Sequence, residues 1–208
     1  MSDRYNPAAI EAESFRMITD EIHKMHRELP ERYAPVIKRV IHATADFSYL
    51  DTLYFSQGSM EAAASALQAG VSIVTDTNMA KAGINKSALG KWGGTVICHM
   101  ADEDVAQEAK ARQITRAVVS MEKSARAGAD FIYAVGNAPT ALLAIVELAK
   151  AGMLQPRLVI GAPVGFVNVE EAKECLIASG IPCIVARGRK GGSNIAATVC
   201  NAMLYAKV

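Results

Sequence analysis

The apolar positions of the chain change their spacing as it proceeds. After Asn6-Pro7, which suits a helix cap followed by a first-turn proline, Ile10, Ser14, Ile18 and Ile22 recur every four residues on one face. Pro30 ends that helical region, and a second helix is expected from Pro35 to about Ala45, with Val36, Val40 and Ile41 apolar. Leu53 to Phe55 reads as a short extended segment. From residue 59 onward the pattern is regular. An alanine-rich helix over 59–69 ends at Gly70 and is followed by five short apolar runs: 71–74, 95–98, 131–135, 157–160 and 182–185. Helical segments are expected over 103–127, 138–151 and 169–179, and a last one over 193–206.

Short apolar strands alternating with helices predict a parallel sheet covered on both faces. The right-handed crossover rule makes that sheet doubly wound. The expectation is α/β: one domain over residues 1–208, a mostly parallel sheet of about five strands, and added N-terminal helices. Sheets of this kind bind ligands at the carboxyl ends of their strands. The residues just past those ends are Asp76, His99, Gly136-Asn137, Gly161 with Pro163, and Arg187 to Lys190.

Composition narrows the chemistry. With 208 residues and 51% hydrophobic content the chain should bury a full core without a metal or disulfide staple. The net charge of +1 gives no global surplus for nucleic acid, so an anionic ligand needs a local basic cluster. The four cysteines, Cys98, Cys175, Cys183 and Cys200, form no CxxC pair and no zinc spacing. They read as buried small hydrophobes in a reducing cytosol. The segment Met1 to Pro7 is polar, unlike a signal peptide, and no apolar run reaches the roughly 20 residues of a membrane span. A cytoplasmic protein without membrane contact is expected. No GxGxxG follows the first strand, and GxSxG and HExxH are absent, which disfavours a dinucleotide, a nucleophile elbow and a zinc protease. No metal or cofactor is expected.

Three constellations carry candidate chemistry. Arg39, His42 and Asp46 share one face if their helix continues through them, and histidine as a residue type suits proton transfer near neutral pH. Arg187, Gly188, Arg189, Lys190, Gly191, Gly192 and Ser193 place three cations and three glycines before the last helix. Glycine lets backbone amides approach an anion, and a helix N-terminus adds a positive dipole. With that much glycine the turn is expected to be mobile when empty, with Ser193 as the helix cap. In Gly136-Asn137-Ala138-Pro139-Thr140, Asn137 can cap the following helix or present its amide to a ligand. Ser14 interrupts the first helix's apolar stripe, either bonding back to its own helix or facing a ligand. Arg116 is a lone cation near a possible helix start, and His99 is a minor candidate. His23 and His26 read as solvated.

Four segments in order, His42-Ala43-Thr44-Ala45-Asp46-Phe47, Gly136 to Leu142, Pro163-Val164-Gly165-Phe166-Val167 and Gly188 to Ser193, resemble the precorrin-8 methylmutase family, and the likeness runs from about Pro7 to Leu204. The His-Ala-Thr-Ala-Asp stretch resembles the branch that acts on cobalt-precorrin-8. The resemblance implies a Rossmann-like homodimer that performs a 1,5-sigmatropic methyl shift on ring C to give a cobyrinic or hydrogenobyrinic acid. It implies His42 as proton donor and acceptor, and Ser14, Arg39 and Arg116 as substrate contacts.

An intramolecular shift needs neither redox cofactor nor nucleophile, in keeping with the missing motifs. The substrate's carboxylates suit Arg39, Arg116, Arg187, Arg189 and Lys190. Asp76, Asn137, Thr140, Gly188, Gly191, Gly192 and Ser193 complete the candidate binding set, and Pro163 to Val167 suits part of an apolar floor. Two other readings stand beside this one: a non-catalytic tetrapyrrole carrier, and a phosphate- or nucleotide-dependent α/β enzyme using the Gly188 to Ser193 turn.

Overall fold

The computed structural model describes residues 5–206; the start of the polar N-terminal segment, residues 1–4, and residues 207–208 lie outside the described residues. Two helices lead. In α1 (Pro7–Lys24) Asn6 Oδ1 accepts from the amides of Ala8 and Ala9. The helix stops at Lys24, before Pro30, and only Ile18 and Ile22 of its apolar stripe reach the core. It lies against α2 (Ala34–Thr44), which ends where Ala45 turns left-handed.

A short α3 (Tyr49–Thr52) then enters β1 (Leu53–Phe55). The rest alternates: α4 (Ser59–Gln68), β2 (Ser72–Thr75), α5 (Asn78–Gly83), α6 (Lys86–Gly90), β3 (Val96–Ile97), α7 (Glu103–Arg112), α8 (Arg116–Arg126), β4 (Phe131–Val135), α9 (Pro139–Lys150), β5 (Leu158–Gly161), α10 (Val169–Ala178), β6 (Cys183–Ala186) and α11 (Ser193–Tyr205).

The sheet order is β1-β6-β5-β4-β2-β3. Five strands are parallel; β1, the extended segment seen in the sequence, adds a sixth by pairing antiparallel with β6. Successive residues of a strand face opposite sides. Ile132 and Ala134 of β4 therefore join the core beneath α2, α4 and α11, while Phe131, Tyr133 and Val135 join the core beneath α8, α9 and α10. All five β4 residues are buried, which is why these runs read as continuous rather than alternating.

The helix expected over 103–127 is two helices. Gln113 adopts a left-handed conformation at φ 55°, and Thr115 Oγ1 then caps α8 by accepting from Val118. The short α5 and α6 occupy a stretch with no apolar periodicity to announce them.

Two features bring the carboxyl edge of the sheet together. The strand order reverses between β2 and β4, so their ends flank a crevice. A Cβ at Gly136, just past β4, would lie 2.6 Å from Ser193 Cα, so only glycine lets that turn run against the start of α11.

Candidate active site

His42 stands in the last turn of α2, exposed, with its ring stacked on Phe15 of α1 (centroids 5.3 Å apart). Its Nδ1 is 2.7 Å from Ser14 Oγ. Ser14 thus bonds across the helix pair instead of back to its own helix. The hydroxyl engages Nδ1 and leaves Nε2 as the nitrogen free to serve a ligand. Beside the pair opens a cavity of about 300 Å³ lined by Ser14, Met17, Ile18, Glu21, Ile41, His42, Ala45 and Phe47.

Arg39, one turn earlier on α2, is held on three sides. Its guanidinium bonds Glu11 Oε1 at 2.7 Å and lies over the rings of Phe15 (5.2 Å) and Tyr205 (4.8 Å). Asp46 does not share the helix face with Arg39 and His42, because α2 ends two residues before it. It accepts from the Ser48 amide and takes Lys190 Nζ at 2.6 Å; that ammonium and Ser48 hold its carboxyl down to about 2. This ion pair joins the end of α2 to the basic turn.

The basic turn, for which the glycines suggested mobility, is bonded into the fold at several points. Lys190 also donates to Ser48 Oγ, Gly165 N donates to Arg189 O, and Gly192 N donates to Ala162 O. A Cβ on Gly191 would collide with Ala162 O, so glycine here serves close packing rather than flexibility. Arg187 forks onto Glu174, and Arg189 bonds Glu170 while lying 5.6 Å over the exposed Phe166. Gly192, not Ser193, is the cap position of α11. Ser193 is the first helical residue, nearly buried, and its hydroxyl meets Thr77 Oγ1 at 2.7 Å.

Asp76 departs from its expected role as a substrate contact. It is 1% exposed, and its carboxylate accepts from the amides of Gly136, Asn137 and Ala138 at 2.7–2.8 Å. Burial pushes its pKa up against the pull of those three amides. Asp76 therefore holds the loop that leads into α9, a helix without a side-chain cap, and the exposed Asn137 side chain is left free for a ligand. Thr140 Oγ1 meets Thr115 Oγ1 at 2.9 Å, which sets the starts of α8 and α9 side by side, with the exposed Arg116 opening α8 and the exposed Asn137 just before α9. His99 is committed to Asp102 (2.9 Å), which Lys123 also binds. His23 and His26 are exposed. Cys98, Cys183 and Cys200 are buried free thiols, and Cys175 is half-buried.

The candidate residues thus gather in three groups: Ser14, Arg39 and His42; the basic turn; and Asn137, Thr140 and Arg116. Asp46 links the first to the second, and Gly136 with Thr77 links the second to the third. Residues 9–206 match the sequence profile of the precorrin-8X methylmutase family. The chain belongs to that family. The cobalt-precorrin-8 methylmutase of Priestia megaterium is 42% identical over 95% of this chain and 87% of its own length. That of Salmonella typhimurium is also 42% identical, over 96% and 95%. The crystal structure of a precorrin-8X methylmutase from Thermus thermophilus superposes with a TM-score of 0.85 at 41% identity, covering 94% of this chain and 96% of that one. Membership makes the chain an isomerase of cobalamin biosynthesis.

Several residues of this candidate site went unmarked in the sequence. Glu11 and Phe15 of α1 and Tyr205 of α11 pack around Arg39, Phe15 also stacking on His42, and no spacing rule links positions so distant from α2. Lys173 had a visible signal: it occupies the buried stripe of α10 with Val169, Ala172 and Leu176.

Proposed function

We propose that this methylmutase moves a methyl group on ring C of cobalt-precorrin-8 by a 1,5-sigmatropic shift, with His42 as the proton donor and acceptor. The observation that carries this reading is the Ser14 Oγ to His42 Nδ1 bond. Anchored at Nδ1, the ring can deliver a proton from Nε2 to the conjugated macrocycle and recover it once the methyl group has moved. The exposure of His42 fits a flat ligand that covers the ring on docking. The 300 Å³ cavity takes only an edge of a macrocycle, so the rest lies over α1, α2 and the carboxyl edge of the sheet. There Arg39, the basic turn, Asn137, Thr140 and Arg116 meet its carboxylates, and Val164, Phe166 and Val167, all exposed, offer apolar surface. The protein's part is placement and one proton.

The cobalt-containing substrate is supported by the relatives named for it and by the His-Ala-Thr-Ala-Asp stretch. The resemblance also carries a homodimer, which sedimentation measures directly; a cytoplasmic location is supported by the unpaired cysteines. Among the described residues no helix is long and apolar enough to cross a membrane.

His42→Ala tests the assignment. Turnover should fall at least about 10²-fold, while cobyrinic acid still co-elutes with the folded variant on a sizing column. Full activity in the variant, or lost binding with an intact fold, would remove His42 as the acid. Capture of the product by a wild-type protein that turns over no substrate in a single-turnover assay would instead favour a carrier.

A further inference from the structure

Three of the four buried positions of α10 are apolar, and the fourth is Lys173, with no exposed surface. Its Nζ donates to Gly188 O at 2.6 Å and to Lys190 O at 2.9 Å. Between them, Arg189 O accepts from Gly165 N at 3.2 Å. Three successive carbonyls of the basic turn are therefore occupied from the protein side. The amides of Gly188, Arg189, Lys190 and Gly191 have no acceptor among the described residues. Successive free amides form a concave donor set suited to an anion.

We propose that Lys173 is a positioning residue, whose buried ammonium draws the carbonyls of the basic turn inward and so presents the turn's amides to a carboxylate of the substrate. This rests on the reading of the turn as a carboxylate site for the tetrapyrrole. An apolar side chain of similar length would fill the same stripe of α10 without burying a charge. What the lysine adds is the grip on two carbonyls and a fixed positive charge under the turn.

The cost of burial shows in the ammonium's pKa, lowered to about 8 by desolvation. The charged groups around it are Glu170 and Glu174 on its own helix and Arg187, Arg189 and Lys190 from the turn. Each of the two glutamates is paired with a turn arginine. A bound anion favours the protonated lysine. Product affinity should be full below about pH 8 and weaken as pH rises through it, by up to about tenfold per unit. The fold behaves oppositely. Between about 8 and lysine's usual value of about 10.4 the unfolded chain holds more protons, so this group's contribution to stability rises with pH.

The test is a titration of cobyrinic acid by its absorbance, with wild type and Lys173→Met, from about pH 7.5 to about pH 9.5, together with KM and kcat. In the folded variant Kd and KM should rise about tenfold or more, with kcat within about threefold and no pH limb near 8. Wild-type affinity in Lys173→Met overturns the proposal. If that variant does not fold, the wild-type series decides: affinity that falls above about pH 8 with unchanged circular dichroism supports the role, and a flat series overturns it. Wild type that takes up no cobyrinic acid at about pH 7.5 overturns the reading of the turn itself, and the role of Lys173 with it.

Discussion

If His42 is the proton donor proposed above, Ser14 is the hydroxyl that orients it. Imidazole offers two nitrogens, and the hydroxyl at Nδ1 keeps the ring oriented with Nε2 free. A neutral hydrogen bond of this kind contributes about 0.5–1.5 kcal/mol. Ser14→Ala should therefore lower kcat several-fold, to at most about tenfold, with little change in KM, and steady-state kinetics would show the split. An equal change in both would mean that Ser14 touches substrate in the ground state. The sequence made Ser14 visible as a polar break in an apolar stripe. It could not say that the hydroxyl's partner lies 28 positions away on a second helix. Glu11 and Tyr205 were hidden for the same reason: their signal is contact with Arg39, and contact between distant positions leaves no spacing.

At the scale of elements, the sheet was legible because its period is local. Five short apolar runs, most of them separated by helix-length segments, predicted five parallel strands, and those strands are present. The boundaries failed where local chemistry was ambiguous. Residues 103–127 keep a helical composition throughout, yet Gln113 turns left-handed and Thr115 begins a new helix. That break is what puts Arg116 in the first turn of α8 rather than mid-helix. Asp76 was placed correctly past β2 and misread in role, since a carboxylate at a strand end looks the same whether it faces a ligand or three amides. Its role makes a sharp stability prediction. Asp76→Asn replaces one acceptor oxygen by an NH₂ group that faces backbone donors. Loss of a buried acceptor costs on the order of 1–3 kcal/mol, or a fall in Tm of roughly 2–4 °C per kcal/mol for a chain of this size. Thermal unfolding measures it, and an unchanged Tm would show that the loop over α9 does not depend on the carboxylate.

Across the whole molecule the charge is nearly balanced at +1, and the balance extends into the site. Arg39 pairs with Glu11, Arg187 with Glu174, Arg189 with Glu170, and Lys190 with Asp46. Each cation expected to meet a substrate carboxylate, Arg116 apart, is already matched by an internal one. Docking a polycarboxylate is then an exchange of partners rather than a filling of bare positive charge. The exchange is inexpensive because exposed ion pairs are weak, about 0–1 kcal/mol, and both members of the Arg187–Glu174 pair are about half exposed. The displaced glutamates also remain beside the bound ligand and repel it, which favours release. Glu174→Gln removes one such competitor without touching Arg187. Cobyrinic acid should bind it several-fold more tightly and with a steeper loss of affinity as salt increases, and kcat should fall if product release limits turnover. Unchanged affinity and salt response in this variant would mean that Arg187 keeps its internal partner throughout and that the substrate is held by the turn's amides, Arg39 and Arg116 instead.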